Sequence, residues 1–337
     1  MNGQSVSVKD VAQRANVAVG TVSNVLNHPE RVAEEKRKRV LAAIRELGFV
    51  RNDAARQLRA GRSRTIGLIV LDVGNPFFTS VARAAEDAAA ETGSAVVLGN
   101  SGQDEDRESH YIDLFEEQRV QGLLISPVGD VSDRVMALRD RGVPAVLVDR
   151  IADPTLFSSV SVDDTVGGYL AARHLLELGR RRLAFIGGPD SIRQVHDRRL
   201  GAERAVAETP GAGMEVFEEK ELTVLAGRAA GDRLAARSKA ERPDGIFCAN
   251  DLLALGVMQS LTMLRDLRIP DDVALIGYDD IDFASSAVVP LSSIRQPTRL
   301  LGQTAVELLA EEISHPDKHR QVVYEPELVA RASTVGA

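Results

Sequence analysis

Cysteine is nearly absent from this chain: Cys248 is the single one in 337 residues. That excludes an internal disulfide framework and a cysteine-built zinc cluster. Long apolar runs are missing too; no stretch approaches the roughly 20 residues of a membrane-spanning helix. The opening residues, MNGQSVSVKDVAQRANVAV, lack the charged start and apolar run of a secretory leader, so a cytoplasmic location is expected. None of the six histidines stands at a metal-like spacing from another ligand, and neither a G-x-G-x-x-G nor a Walker pattern occurs. The expectation is no metal and no cofactor. With no nucleophile–base pair in view, an enzyme is not expected either.

What is present is charge, unevenly placed. The whole chain holds 41 Lys+Arg against 49 Asp+Glu, a net of −8, which taken alone argues against nucleic-acid binding. Residues 1–64, however, hold 13 basic against 6 acidic residues, a net of +7, and residues 65–337 hold 28 against 43, a net of −15. Such asymmetry between segments points to a nucleic-acid or membrane contact at one end. With 44% apolar residues and this length, two or three domains with a large core are expected.

The basic segment reads as short helices around a turn. Ser7 suits an N-cap and Asp10 the first turn of a helix whose Val8, Val11, Ala12 and Ala15 share one face. Asn16 tolerates the left-handed turn that follows. A second helix runs from about Val19 to Leu26 with Val22, Val25 and Leu26 inward; Thr21, Ser23, Asn24 and Asn27 face outward, short polar side chains suited to phosphate oxygens and base edges. A third, Ala33–Leu47, turns Val40, Leu41, Ile44 and Leu47 inward and ends at Gly48. Together these form a helix-turn-helix unit.

VKDVAQRANVAVGTVSNVLN resembles the N-terminal signature of the lactose-repressor (LacI/GalR) family of transcription regulators. The resemblance implies sequence-reading contacts at Val19, Gly20 and Asn24, with Ser7 and Arg31 in the same DNA-facing set. Ala18 stands where the family has a capping serine, a loss of about 1 kcal/mol for that helix. The following FVRNDAARQLRAGRSR resembles the family's hinge: Asn52 caps a short helix, Ala55 allows close helix–helix contact, Leu58 wedges into the minor groove, and Arg59 and Arg62 track phosphates. Arg51 replaces a frequent proline there.

Beyond Arg64 the chain alternates apolar runs (TIGLIVL, SAVVLGN, GLLISPV, PAVLVD, RLAFIGG, GIFCAN, VALIGYD) with amphipathic stretches, the pattern of parallel sheets in α/β layers. This length suits two lobes around a cleft, and it resembles the periplasmic-binding-protein type I fold of the same family's sensor. The expected organisation is a helix-turn-helix domain over 1–48, a hinge over 49–63 and an effector-binding and dimerisation domain over 64–337. Its N-lobe spans about 64–162 and 293–320 and its C-lobe about 163–292 and 321–337, with crossovers near Val162, Ser292 and Gln321.

Ligands of such sheets bind at the C-terminal ends of strands. Those positions hold Asn75, Phe77, Phe78, Asp149, Arg150, Arg198, Asn250, Asp279 and Gln296, carboxylates, guanidiniums and amides beside aromatic rings that suit a polyhydroxylated ligand. The set is similar to that of ribose-binding relatives. Leu222, five residues before Gly227, replaces an aromatic platform and counts against a flat purine or strict ribose identity. Plainer readings stand beside these. Asn250-Asp251 and Asp163-Asp164 suit helix caps, Asp149 and Arg150 a strand-end ion pair, and only one of the adjacent Phe77 and Phe78 is expected to face a cleft. The resemblance implies a homodimeric, cytoplasmic repressor of carbohydrate genes that binds a palindromic operator and is controlled by a ribose-like sugar. The alternatives are a carbon-control regulator with a phosphoprotein corepressor and a purine- or nucleoside-responsive regulator.

Overall fold

The computed structural model of the chain describes residues 6–49, 63–264 and 267–336. The chain divides into two compact units, Met1–Arg62 and Ser63–Ala337. The expected hinge residues Asn52, Ala55, Leu58, Arg59 and Arg62 lie outside the described residues.

In the first unit α1 (Val8–Ala15) starts on a reciprocal cap: the Ser7 side chain accepts from the Asp10 amide and the Asp10 carboxylate accepts from the Ser7 amide. Asn16 then takes the left-handed conformation at φ 51°, and Arg39 donates to its carbonyl at 3.2 Å. Helix α2 (Val19–Asn27) begins at Ala18 without a side-chain cap. Helix α3 (Glu34–Leu47) closes over both, with Val11, Ala12, Ala15, Val22, Val25, Val40 and Ala43 as the core. Leu41, expected inward, is 39% exposed, and Ala43 takes the buried position on that face instead. The buried face runs through Val40 and Ala43, three residues apart, and Leu41 stands about 100° round the helix from Val40 on its far side from Ala43.

The second unit contains two six-stranded sheets. Strands β1 (Thr65–Val70), β2 (Ala95–Asn100), β3 (Gly122–Ile125), β4 (Ala145–Val148), β5 (Ser158–Val162) and β11 (Gln321–Tyr324) form one, in the order β11-β5-β4-β3-β1-β2, all parallel. Strands β6 (Arg182–Gly187), β7 (Gly213–Glu218), β8 (Gly245–Cys248), β9 (Ala274–Asp279), β10 (Ser292–Arg295) and β12 (Glu327–Val329) form the other, in the order β12-β10-β9-β8-β6-β7. Only β12 runs antiparallel in that sheet, against β10. Helices α4 (Pro76–Glu91), α5 (Glu105–Glu117), α6 (Ser132–Asp140), α7 (Asp164–Glu177), α8 (Arg193–Ala207), α9 (Val224–Ala235), α10 (Asp251–Met258), α11 (Asp282–Ser285), α12 (Thr298–Ser314) and α13 (Ala332–Val335) accompany them. Parallel strands require such crossovers, and the crossovers bury both sheet faces.

The chain passes between the lobes three times, after β5, after β10 and between β11 and β12. The last two lie later than expected. Ser292–Arg295 pairs with β9 in the second lobe, and Gln321–Tyr324 pairs with β5 in the first. A strand crosses where its edge partner stops, and apolar patterning does not mark that point.

Candidate functional site

In the first unit the N-terminal turn of α2 stands clear of the core. Val19 is 46% exposed despite its apolar side chain, Gly20 faces open space, and Asn24 is exposed. Thr21 and Ser23 are half-buried, so the expected outward face is narrower than the polarity of its residues suggested. Asn27 donates back to the Ser23 carbonyl at 2.9 Å. The Ser7 hydroxyl is occupied with Asp10 at 2.7 Å, and these bonds hold the Asp10 carboxyl below its ordinary value. Arg31 is exposed, in a single helical turn at Pro29–Arg31, 3.7 Å from Glu30. An ion pair, Arg14–Glu46 at 2.6 Å, ties α1 to α3 and leaves the α2 turn as the protruding edge.

In the second unit the C-terminal strand ends of both lobes face each other across a narrow cavity of about 30 Å³. The first lobe contributes Leu71, Asp72, Asn75, Phe77, Phe78, Gln103 and Asp149 to its wall, and the second Ile192, Gln194, Val195, Arg198, Leu222, Asn250 and Asp279. Two carboxylates leave their strands in strained backbone, Asp149 after β4 at φ 58° and Asp279 at the end of β9 at φ 104°. Such conformations cost about 1–3 kcal/mol each and persist where surrounding contacts enforce them. Here the contacts span the cleft. Asn75 Nδ2 donates to Asp279 Oδ2 at 2.9 Å, and Gln194 Nε2 donates to the Asp149 carbonyl at 2.6 Å and to its Oδ2 at 3.0 Å.

Arg198 is the cation of the cavity. Its Nε meets Asp164 Oδ1 at 2.8 Å, one terminal nitrogen donates to the Ala249 carbonyl at 2.8 Å, and the guanidinium lies 3.7 Å over the Tyr278 ring. Asp279 Oδ1 is 3.8 Å away. Burial pushes the Asp279 carboxyl up to about 6, while Arg198, Asn75 and Gln296 pull the other way. Burial, reinforced by Asp164, raises Asp149 further above the carboxylate range. The Asp149 Oδ1 and Gln194 Oε1 atoms are buried and have no partner among the described residues, so the wall holds one unsatisfied amide acceptor and one unsatisfied carboxyl oxygen, a pair suited to hydroxyls that both donate and accept.

Several sequence expectations change here. Arg150 is half-buried and lines a separate cavity behind the Gln194–Asp149 bond, and no Asp149–Arg150 ion pair forms among the described contacts. The side chains of adjacent strand-end residues diverge, and Asp149's left-handed backbone turns its carboxylate toward Gln194. Gln296 is buried behind Asp279, donating to its Oδ1 at 2.8 Å, and stands outside the wall. Phe77 and Phe78 are both buried and both line the cavity, edge to face at 4.9 Å. They occupy the first turn of α4, where the sheet covers one side and the facing lobe the other. Asn250 and Asn75 combine cap and cavity roles: each accepts an amide of its own helix, and Asn250 also donates to the Leu222 carbonyl at 3.1 Å. Asp163 caps α7, whereas Asp164 is the partner of Arg198. Sequence reasoning missed Gln194; its signal was its place four residues before Arg198, on the same helix face. Asp72 and Gln103, in loops after β1 and β2, carried no such signal.

Residues 7–52 match the family model described as bacterial regulatory proteins, lacI family, and residues 172–334 match that of a periplasmic binding protein-like domain. The chain is 34% identical over 333 residues to the HTH-type transcriptional repressor PurR of Aliivibrio fischeri strain MJ11, covering 98% of each chain. Among solved structures it is similar to the lac repressor dimer bound to operator and the anti-inducer ONPF, at a TM-score of 0.82 and 28% identity over 98% of this chain and 99% of that one. A LacI family transcriptional regulator from Enterococcus faecium with bound ribose matches at a TM-score of 0.72 and 28% identity, over 81% of this chain and 99% of that one.

Proposed function

The chain belongs to the lacI family of bacterial regulatory proteins, and from that premise we propose that it is an operator-binding repressor governed by a small molecule held between its lobes. The observation that carries the proposal is the cavity whose wall is divided between the two lobes and bridged by Asn75–Asp279 and Gln194–Asp149. A ligand there touches both lobes at once, so its affinity differs between open and closed arrangements. Only such a difference lets a ligand shift a conformational equilibrium. The exposed Val19, Gly20 and Asn24 supply the reading edge: apolar contact to a thymine methyl, close backbone approach, and amide hydrogen bonds to a base. Paired heads in a homodimer would match a palindromic operator.

For the effector, kinship favours a purine, since the relative matched over nearly the whole chain is a repressor named PurR. A purine would pack on the Phe77–Phe78 wall and present an N–H donor to the unpartnered Gln194 Oε1. A ribose-like monosaccharide is the second reading. It is favoured by the carboxylate-rich wall, whereas Leu222, which supplies no aromatic face from the second lobe, counts against a purine and against strict ribose identity alike. The test is operator binding by fluorescence anisotropy on a palindromic duplex, with guanine, adenine, ribose and glucose titrated in turn. A ligand of one class should change operator affinity severalfold. Absence of any operator binding would sink the repressor reading, and equal indifference to all four ligands would sink the effector reading.

A further inference from the structure

The helices that carry Asp164 and Arg198 touch through glycine. A Cβ on Gly168 of α7 would lie 1.9 Å from the carbonyl oxygen of Arg198, and one on Gly201 of α8 would lie 2.0 Å from that of Thr165. The contact is reciprocal, each glycine facing the carbonyl three residues before the other. Real Cβ contacts essentially never fall below 3.0 Å, so any side chain at either position must part the helices by about 1 Å. The atoms it would strike are backbone, which has no rotamer by which to yield.

Those backbone segments are the ones that hold the cavity's ion pair. Thr165 adjoins Asp164, and the carbonyl facing Gly168 is that of Arg198 itself. The Arg198–Asp164 bond is 2.8 Å long and both side chains are under a tenth exposed. Parting the helices by about 1 Å stretches that bond beyond hydrogen-bonding range. It also lifts the guanidinium from Tyr278 and the Ala249 carbonyl.

We propose that Gly168 and Gly201 are positioning residues for the cavity, setting the depth at which Arg198 stands against Asp164 and Asp279. The proposal rests on Arg198 being an effector contact. Asp279 reports the position independently. Around its carboxyl stand Arg198 on α8, Asp164 on α7, Asp149 after β4, Asp251 on α10, Tyr278 on its own strand, and the amides of Asn75 and Gln296. Of these Arg198 is the cation, and it opposes the upward push of burial. Moving it away raises the Asp279 titration above about 6. A second reciprocal pair provides a matched control: Cβ atoms on Gly227 and Gly256 would lie 2.1 and 2.0 Å from the Leu253 and Val224 carbonyls, between α9 and α10. That contact involves neither Arg198 nor Asp164.

The experiment uses the full chain with carbon-labelled aspartate, following the Asp279 carboxyl by NMR across pH without ligand, and measures ribose and guanine affinity by calorimetry. Gly201→Ala and Gly168→Ala should raise the Asp279 titration and weaken the probe that binds by about tenfold or more. Gly256→Ala should lower thermal stability comparably while shifting the Asp279 titration less than Gly201→Ala does, since Arg198 keeps its place and only Asp251, on α10, can move relative to that carboxyl. Should the first two variants fail to fold, Asp164→Asn releases Arg198 without added bulk and should weaken the probe that binds by a similar factor; affinity alone is read there, because loss of the Asp164 charge itself lowers the Asp279 titration. Wild-type titration and affinity in Gly201→Ala, or wild-type affinity in Asp164→Asn if the glycine variants do not fold, would overturn the proposal. Unchanged affinity in Arg198→Ala would instead sink the effector-site reading, and the Asp279 titration would still decide the positioning role.

Discussion

At Arg198 one guanidinium, 5% exposed, is surrounded by the buried carboxyls of Asp149, Asp164 and Asp279. The group stays charged because removing its proton would leave those carboxyls without a partner. Acid excess has a consequence for stability. Asp279 titrates at about 6 in the folded chain against an ordinary 3.8, so the folded state binds more protons than the unfolded state in that window. A raised carboxyl contributes stability that is complete below the unfolded value and is lost as pH rises through the folded one. The thermal midpoint of the second unit should therefore fall as pH climbs from about 4 to about 7, and Asp279→Asn should flatten that descent. A scanning-calorimetry series reads it, and a midpoint that rises over this window only in the wild type would contradict the assignment. Arg198→Lys keeps the charge but loses the planar fork and the Tyr278 contact. It should abolish the ligand response while operator affinity without ligand stays at the wild-type level. Equal loss of both would mean a structural role alone.

Helix α2 illustrates how an element can be placed by tertiary packing against its own local preference. Its start at Ala18 has extended backbone, φ −66° and ψ 149°, the conformation a capping residue needs, yet no side chain bonds the first-turn amides. Ala18→Ser should therefore add about 1 kcal/mol to the first unit, read as slower amide exchange at Thr21 and Val22; unchanged exchange would show that packing of Val22 and Val25 already saturates this end. The hinge segment carries a separate expectation. For Leu58, proposed to act as a minor-groove wedge, Leu58→Ala should weaken operator binding by about tenfold or more with ligand affinity intact; unchanged operator affinity would refute the wedge. Among strands, β5 escaped the apolar pattern because its sequence is Ser-Ser-Val-Ser-Val. Ser158, Ser159 and Ser161 are nonetheless buried. Ser158 finds Glu312 on α12, far off in sequence, and Ser159 accepts from the Ala152 amide seven residues away, so two of the three hydroxyls stay inside by hydrogen bonding, while that of Ser161 is buried without a partner among the described residues. Conversely the apolar edge strand β2 leaves Val97 and Leu98 at 47% and 40% exposed.

Across the whole molecule the two signs of charge divide between units. A basic first segment of +7 and an acidic remainder of −15 make operator affinity steeply salt-dependent, since cations on the head displace counterions from phosphates while the remainder repels the duplex. Operator affinity should fall by about a thousandfold for a few-fold rise in salt. A titration that is flat in salt would rule out phosphate neutralisation by the head. The two lobes of the second unit are joined by chain crossings at three places and by hydrogen bonds spanning the cleft, so a ligand seated there would act on both at once.

Much of this protein was readable from its residues in order. The Ser7–Asp10 cap, the Asn16 turn, the alternation of apolar runs with helices and the strand-end positions of Asn75, Asp149, Asn250 and Asp279 all follow from local chemistry, because each needs only neighbours within a turn or a strand. What depends on residues far apart in the chain did not show. Gln194 reaches Asp149, Asp164 takes Arg198 rather than a cap, Arg150 turns away, and Gly168 meets the Arg198 carbonyl only because two lobes and two helices are pressed together. Local sequence determined which elements form and where polar groups stand on them. Tertiary packing alone decided which of those groups meet, because distance and burial set the strength of every charge and hydrogen bond in the cavity.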